Sequence, residues 1–225
     1  MLKRFHNKHE GETCVIMGNG PSLKDCPLEL LDKYITFGAN KVYKLKRRNG
    51  SGFVPNYYTV IDEHMIHNVT SVITQPLFDP DAMFIRRPYP VPGSYQINCV
   101  VQPGYSVNIN NAVVMGGTVT YGQIQIADYM GFDIALLVGV DHDYGDAIPA
   151  SPGAVFVAEG EDQAHFDPEY FTPGEIYAAP ELEGSLQFYR FASDVWKAKD
   201  KRIINLTPGT KETAFEKGTY DDWLG

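Results

Sequence analysis

Short apolar runs recur along the chain, each closed by Gly, Asn or Asp, and stretches with helical spacing of apolar positions lie between several of them. That alternation predicts an α/β fold, a mostly parallel sheet with crossover helices on both faces. Strands are predicted at Cys14 to Met17, Tyr34 to Phe37, Tyr57 to Ile61, Met83 to Arg86, Ile134 to Val140 and Arg202 to Leu206. Ile134 to Val140 is apolar throughout, as a strand covered on both faces must be.

Helical spacing is clearest at two places. Thr118 to Met130 follows Gly116-Gly117, carries Ile124, Ala127 and Met130 on one face, and stops at Gly131, a residue suited to a left-handed C-terminal cap. Leu186 to Lys199 sets Phe188, Phe191, Val195 and Trp196 within an apolar stripe just before the strand RIINL. From Tyr144 to Pro180 the periodicity disappears and Pro, Gly and acidic residues accumulate, over a length too great for a simple connection. This segment is expected to be a lid over the site.

Composition narrows the classes. The 225 residues are 44% hydrophobic and 21% charged, enough for a buried core in one domain spanning residues 1–225, and unlike disordered, collagenous or disulfide-scaffold chains. Twenty-eight Asp and Glu against 19 Lys and Arg give a net charge of -9, a poor match to a phosphate backbone, so nucleic acid is not expected as a partner. No apolar run approaches a membrane span, and the charged start MLKRFHNKHEGE has no apolar core of a signal behind it. Cys14, Cys26 and Cys99 have neither disulfide-framework nor C-x-x-C spacing, which fits a reducing cytoplasm.

The first strand runs into Gly18-Asn19-Gly20-Pro21-Ser22, a turn whose backbone amides are expected to approach an anion, or else a tight turn and helix cap. Leu23 stands where a dinucleotide fingerprint needs its third glycine, and the Gly-Lys-Ser/Thr of a P-loop is absent, so NAD and P-loop chemistry are disfavoured. Asn40, Asp62 and Asp141 each follow a strand, at the edge where open α/β sheets bind ligands; each is also an ordinary turn or cap residue. Asp141 and Asp143, two residues apart, would share a face if their strand continued, a spacing that suits Mg²⁺ or Mn²⁺ beside a phosphorylated substrate.

His165, inside the expected lid and close to Asp162 and Asp167, has the chemistry of a general base. His64 and His67 lack a third ligand and read as helix-surface residues. Lys41, Lys44, Lys46, Arg47 and Arg48 form a basic cluster that fits either an anionic partner or a solvated face. Arg86 and Arg87, at a strand end, are better placed for phosphate.

The runs VIMGNGPSLKD, FGANK, GGTVTYGQIQIADYMGFDIALLVGVDHDYG and INLTPGT together resemble a superfamily that includes the bacterial lipooligosaccharide sialyltransferases and proteins similar to archaeal 6-hydroxymethylpterin diphosphokinase. The resemblance implies a Rossmann-like fold and nucleotide contacts from Gly18, Asn19, Gly20, Ser22 and Asn40, to which the strand-end position adds Asp62. It also implies them from Thr118 and Thr120, which flank Val119 where the family has serine, and from Pro208, Gly209 and Thr210. His165 is similar to the family's histidine base. Asp143 stands where a phosphate-stabilising tyrosine is expected, and a carboxylate there would repel a departing phosphate unless a cation intervened.

The resulting expectation is a nucleotide-dependent transferase with His165, Asp141 and Asp143 as catalytic residues. The leading form is a sialyltransferase-like glycosyltransferase of surface-glycan synthesis, moving a sugar from a nucleotide-activated donor to a hydroxyl acceptor. The alternatives are a Mg²⁺-dependent diphosphokinase acting on a pterin-like hydroxymethyl group, with Asp141 and Asp143 as metal ligands, and a nucleotide-binding module without catalysis.

Overall fold

A computed structural model describes residues 2–143, 145, 154–179 and 181–225. Its centre is an eight-stranded sheet in the order β12-β11-β8-β1-β2-β3-β4-β5, with every neighbouring pair parallel. The strands are β1 (Thr13–Met17), β2 (Ile35–Ala39), β3 (Tyr57–Val60), β4 (Ala82–Arg86), β5 (Ser94–Ile97), β8 (Ile134–Val138), β11 (Arg202–Asn205) and β12 (Glu216–Lys217). All six predicted strands are present, and the short β5 and β12 are added at the two edges. Two further strands, β6 (Cys99–Val100) and β7 (Val113–Val114), pair with each other outside this sheet.

Strand residues alternate between two cores. Cys14, Ile16, Phe37, Tyr57, Ala135 and Leu137 pack against helices α2 (Val119–Met130) and α3 (Leu182–Lys197). Val15, Met17, Tyr58, Val60, Leu136 and Val138 pack on the other side against helix α1 (Glu63–Ile73) and helix α4 (Tyr220–Trp223), which follows β12. Burial on both faces is why the central strands read as continuous apolar runs.

Helix α2 matches its expected limits. Thr118 caps it by accepting from the Tyr121 amide at 3.3 Å, and Gly131 closes it at φ 93°. Helix α3 departs from expectation: it starts at Leu182, and its buried face is Ser185, Tyr189, Ala192, Ser193 and Trp196. Phe191, placed in the apolar stripe by spacing, is 41% exposed. One helical step of rotation separates the two faces, and the tertiary contact chose the one carrying small residues.

The predicted strand to Val140 stops at Val138, because Gly139 turns the backbone at φ 66°. Asp141 and Asp143 therefore lie in a loop, with left-handed His142 (φ 53°) between them, and the argument that they share a strand face does not hold.

Within the expected lid, residues 144, 146–153 and 180 lie outside those described. The rest contains an antiparallel pair, β9 (Val155–Val157) and β10 (Ile176–Ala178), and buries Phe166, Tyr170 and Phe171 in the second core. Lys41, 2% exposed, ties it down through a 2.5 Å contact with Glu175 and a 2.7 Å bond to the Tyr170 carbonyl. The basic cluster is thereby largely accounted for: Lys44 meets Asp167, Arg47 meets Asp32 and Arg48 meets Glu29. Arg48, 3.9 Å from Glu29, is largely exposed. His64 and His67 lie on α1, and His67 is exposed against the Tyr89 ring.

Candidate functional site

The chain runs from β1 outward to β5 on one side, then returns to β8, β11 and β12 on the other, so neighbouring connections diverge at the carboxyl ends of β1 and β8. Open α/β sheets bind ligands at such a point. A cavity of about 390 Å³ opens there. Gly18, Asn19, Gly20, Asn40 and Asp62 line it from the β1, β2 and β3 ends, Thr118 and Thr120 from the start of α2, Asp141 and Asp143 from the β8 exit and His165 from the segment beyond. A wider groove of about 580 Å³, between residues such as Leu31, Arg47 and Asn56 at the other end of the strands, contains none of these.

The glycine turn is built against β8. The Gly18 amide donates to Val138 O at 2.8 Å and the Gly20 amide to Gly139 O at 3.0 Å. A Cβ on Gly18 would sit 2.2 Å from Gly139 O, and one on Gly20 would sit 2.0 Å from Asp141 Oδ2. The expected anion cradle is thus corrected: these two amides are committed to the sheet, and the glycines are there because the turn touches the neighbouring strand end.

Asn19 and Asn40 line the cavity. Asn19 Oδ1 and Asn40 Oδ1 are both buried and have no hydrogen-bond partner among the described residues. Buried acceptors are normally satisfied, which sets these two oxygens apart, although the Asn40 side chain also bonds to Tyr170. Asn40 adopts φ 53°, which asparagine tolerates, and its carbonyl accepts from Tyr58 Oη at 2.5 Å. Asp62 is the N-cap of α1, accepting from the Met65 amide at 2.8 Å. Thr118 Oγ1 also meets Tyr189 Oη at 3.0 Å.

On the β8 side, Asp141 accepts from the Ser22 amide at 3.1 Å and the Ser22 hydroxyl at 2.9 Å. Burial pushes its carboxyl above the ordinary 3.8, against those bonds. Asp143 is held below its ordinary value by the hydrogen bond and charge of Lys211, 2.7 Å away. A cation-binding pair needs free carboxylate oxygens, and an ammonium already occupies one member. No group of three or more His, Cys, Asp or Glu suited to a metal ion exists among the described residues.

Ser22 is turned to Asp141 and does not line the cavity. Nor do Pro208 and Gly209, which are exposed, or Thr210, whose hydroxyl donates to Val140 O at 2.7 Å and fixes the β8 exit. For Ser22 and Thr210 the cause is that their hydroxyls close turns beside the site.

His165 is strongly oriented. Its Nδ1 lies 2.8 Å from Asp162 Oδ2, while Asp162 Oδ1 accepts from the amides of Ala164 and His165. The ring stacks on Tyr170 at 3.9 Å and 4°. Burial alone would raise Asp162, but the hydrogen bond and charge of His165 together with those amides hold it below its ordinary 3.8. Asp167, the other candidate partner, faces Lys44. The segment is joined to the glycine turn by the Phe166 amide, which donates to Asn19 O at 3.1 Å.

Several wall residues had no role assigned from the sequence. His142 lines the cavity, with its ring pushed below the ordinary 6.5 by burial, and it was visible in the Asp-His-Asp run. Tyr189 could have been read from helical spacing in α3. Tyr177, stacked on Phe171 at 4.6 Å, has no sequence signal, because its hairpin is too short for one.

No family model matches the sequence, and no curated protein matches it. The fold is shared with solved glycosyltransferases. The MAf glycosyltransferase from Magnetospirillum magneticum AMB-1 is similar with a TM-score of 0.54 at 13% identity, over 98% of this chain and 37% of that one. This chain therefore spans little more than a third of that protein's length. The sialyltransferase CstII from Campylobacter jejuni, in complex with cytidine 5′-monophosphate, gives 0.52 at 12% identity over 92% and 85% of the two chains. CstII in complex with a trisaccharide acceptor and CMP gives 0.50 at 11% identity over 92% and 85%. None of these likenesses supports the diphosphokinase expectation, whose metal pair the Asp143–Lys211 contact also disfavours.

Proposed function

We propose that the chain is a glycosyltransferase that moves a sugar from a nucleoside monophosphate donor, of the cytidine type, to a hydroxyl acceptor. The observation that carries this reading is the meeting, in one cavity at the divergence of the sheet, of an Asp162-oriented His165 with Asn19, Asn40 and the start of α2. The fold likeness to enzymes solved with CMP supports it.

The wall contains Asp62, Asp141, Asp143 and Glu181, and no Lys or Arg among its described residues. Such a wall suits a leaving group of low charge; a di- or triphosphate would meet net repulsion. Asn19 and Asn40 offer oxygens to hydroxyl or amino donors of the nucleoside, and the start of α2 at Thr118 to Thr120 offers helix-terminal amides to its phosphate.

With Nδ1–H donated to Asp162, His165 presents Nε2 as the base. The acceptor hydroxyl gives its proton to Nε2 and its oxygen attacks the anomeric carbon. The bond from that carbon to the phosphate oxygen breaks, and the nucleoside monophosphate leaves with the electron pair. Asp162 stabilises the imidazolium that results. Titration calorimetry with CMP, UDP, GDP and ATP, each with and without a chelator, tests the donor class. CMP binding that survives chelation is expected, and failure of CMP to bind would overturn the reading.

A further inference from the structure

The ring beneath His165 belongs to a residue that this chemistry does not use. Tyr170 is fully buried, and its plane lies 4° from that of the imidazole at a centroid distance of 3.9 Å. Phe171 packs edge-on to both rings, 5.4 Å from His165 and 5.2 Å from Tyr170. The bond from Nδ1 to Asp162 fixes one point of the imidazole and by itself would let the ring swing about that bond. The parallel face of Tyr170 removes the swing and so sets where Nε2 lies.

Tyr170 is in turn held by the end of β2. Lys41 Nζ donates to the Tyr170 carbonyl at 2.7 Å, and the Lys41 amide reaches Tyr170 Oη at 3.4 Å. The Asn40 side chain bonds to the same hydroxyl. Asn40 Oδ1 has no partner among the described residues, so the bond to Tyr170 comes from Nδ2. One end of the Asn40 amide is thus committed to Tyr170, while the other belongs to a residue of the cavity wall. Burial pushes the Tyr170 hydroxyl well above its ordinary 10, so it works as a neutral hydrogen-bonding group and not as an acid or base.

We propose that Tyr170 is a positioning residue that joins the donor subsite to the base. Its hydroxyl holds the Asn40 amide in the orientation that receives the nucleoside, and its ring holds His165 in the orientation that receives the proton. The ring face also attracts the imidazolium that forms when the proton arrives. The roles of donor subsite and base rest on the glycosyltransferase reading; the two contacts of Tyr170 do not.

Two substitutions in the full chain separate the contacts: Tyr170→Phe keeps the ring and removes Oη, and Tyr170→Leu removes the ring. Titration calorimetry with CMP is run on the parent, Tyr170→Phe, Asn40→Ala and the double variant. Tyr170→Phe should weaken CMP about three- to tenfold, the scale of one hydrogen bond, and should add nothing once Asn40 is alanine. A tyrosine that merely supports the fold would weaken CMP by the same factor in both backgrounds, and that result overturns the link. The ring contact is read without nucleotide, from the proton NMR signal of His165 Nδ1–H, assigned by its loss in His165→Ala. The signal should persist in Tyr170→Phe and disappear by exchange with water in Tyr170→Leu. Its persistence in Tyr170→Leu, or its absence from the parent, overturns the positioning of His165. Should Tyr170→Leu not fold, the CMP cycle with Tyr170→Phe decides. Failure of CMP to bind the parent would remove the donor reading and the link with it, whereas additive losses on a parent that binds CMP would remove the link alone.

Discussion

A carboxylate that holds the far nitrogen of an imidazole does two things: it fixes the tautomer and it stabilises the ring once protonated. Asp162 is placed for both at His165, 2.8 Å from Nδ1. His165→Ala is accordingly expected to lower kcat by about 10²- to 10⁴-fold with CMP affinity little changed. Asp162→Asn should lower it less and change the acid limb of the pH–rate profile, read in the same transfer assay. An unaltered rate in His165→Ala would exclude it as the base. Gly20 makes a different kind of demand. Its φ of -68° suits any residue, but a Cβ would overlap Asp141 Oδ2. Gly20→Ala should therefore cost about 1–3 kcal/mol by overpacking, measured by denaturant unfolding, and loosen the two Ser22 bonds to Asp141. A stability equal to the parent would mean that the turn moves freely away from β8.

Among the elements, the β9–β10 hairpin depends most on a single tether. Its own pairing is three residues long, and the buried Lys41–Glu175 contact joins it to the end of β2. Lys41→Met leaves Glu175 partly buried without its cation, which should cost about 3 kcal/mol, the lower end for breaking such a pair because Glu175 is 20% exposed. Limited proteolysis within residues 154–179 should rise in the variant, and an unchanged cleavage pattern would show that the buried Phe166, Tyr170 and Phe171 suffice. The pH dependence has a definite sign. Burial raises the Glu175 carboxyl, but the Lys41 bond and the Thr172 amide outweigh it and hold the folded value below the ordinary 4.5. A depressed carboxylate contributes stability that is full above its unfolded value, so the tether should hold above pH 4.5 and weaken as pH falls through the lower folded value.

For the whole molecule, ligand binding is visible as stability. CMP at one hundred times its Kd should add about 2.7 kcal/mol, or roughly 5–11 °C of Tm for a chain of this size. No such shift at any CMP concentration would contradict the proposed donor. The sequence by itself determined the sheet and the edge that carries the cavity, because those depend on neighbours in the chain. The apolar run of β8, the Thr118 cap, the Gly131 stop and the glycine after β1 all act within a few residues. The strand ends put Asn19, Asn40, Asp62 and Asp141 at one edge of the sheet, whereas His165 is read from the aperiodic segment and the family resemblance. Only the tertiary structure decided which partner each polar group takes. Ser22 and Asp141, 119 positions apart, bond to each other, Lys211 neutralises Asp143, and His165 takes Asp162 while Asp167 turns to Lys44. Carboxylates accept from any donor within reach, and local periodicity says nothing about which donor folding brings there.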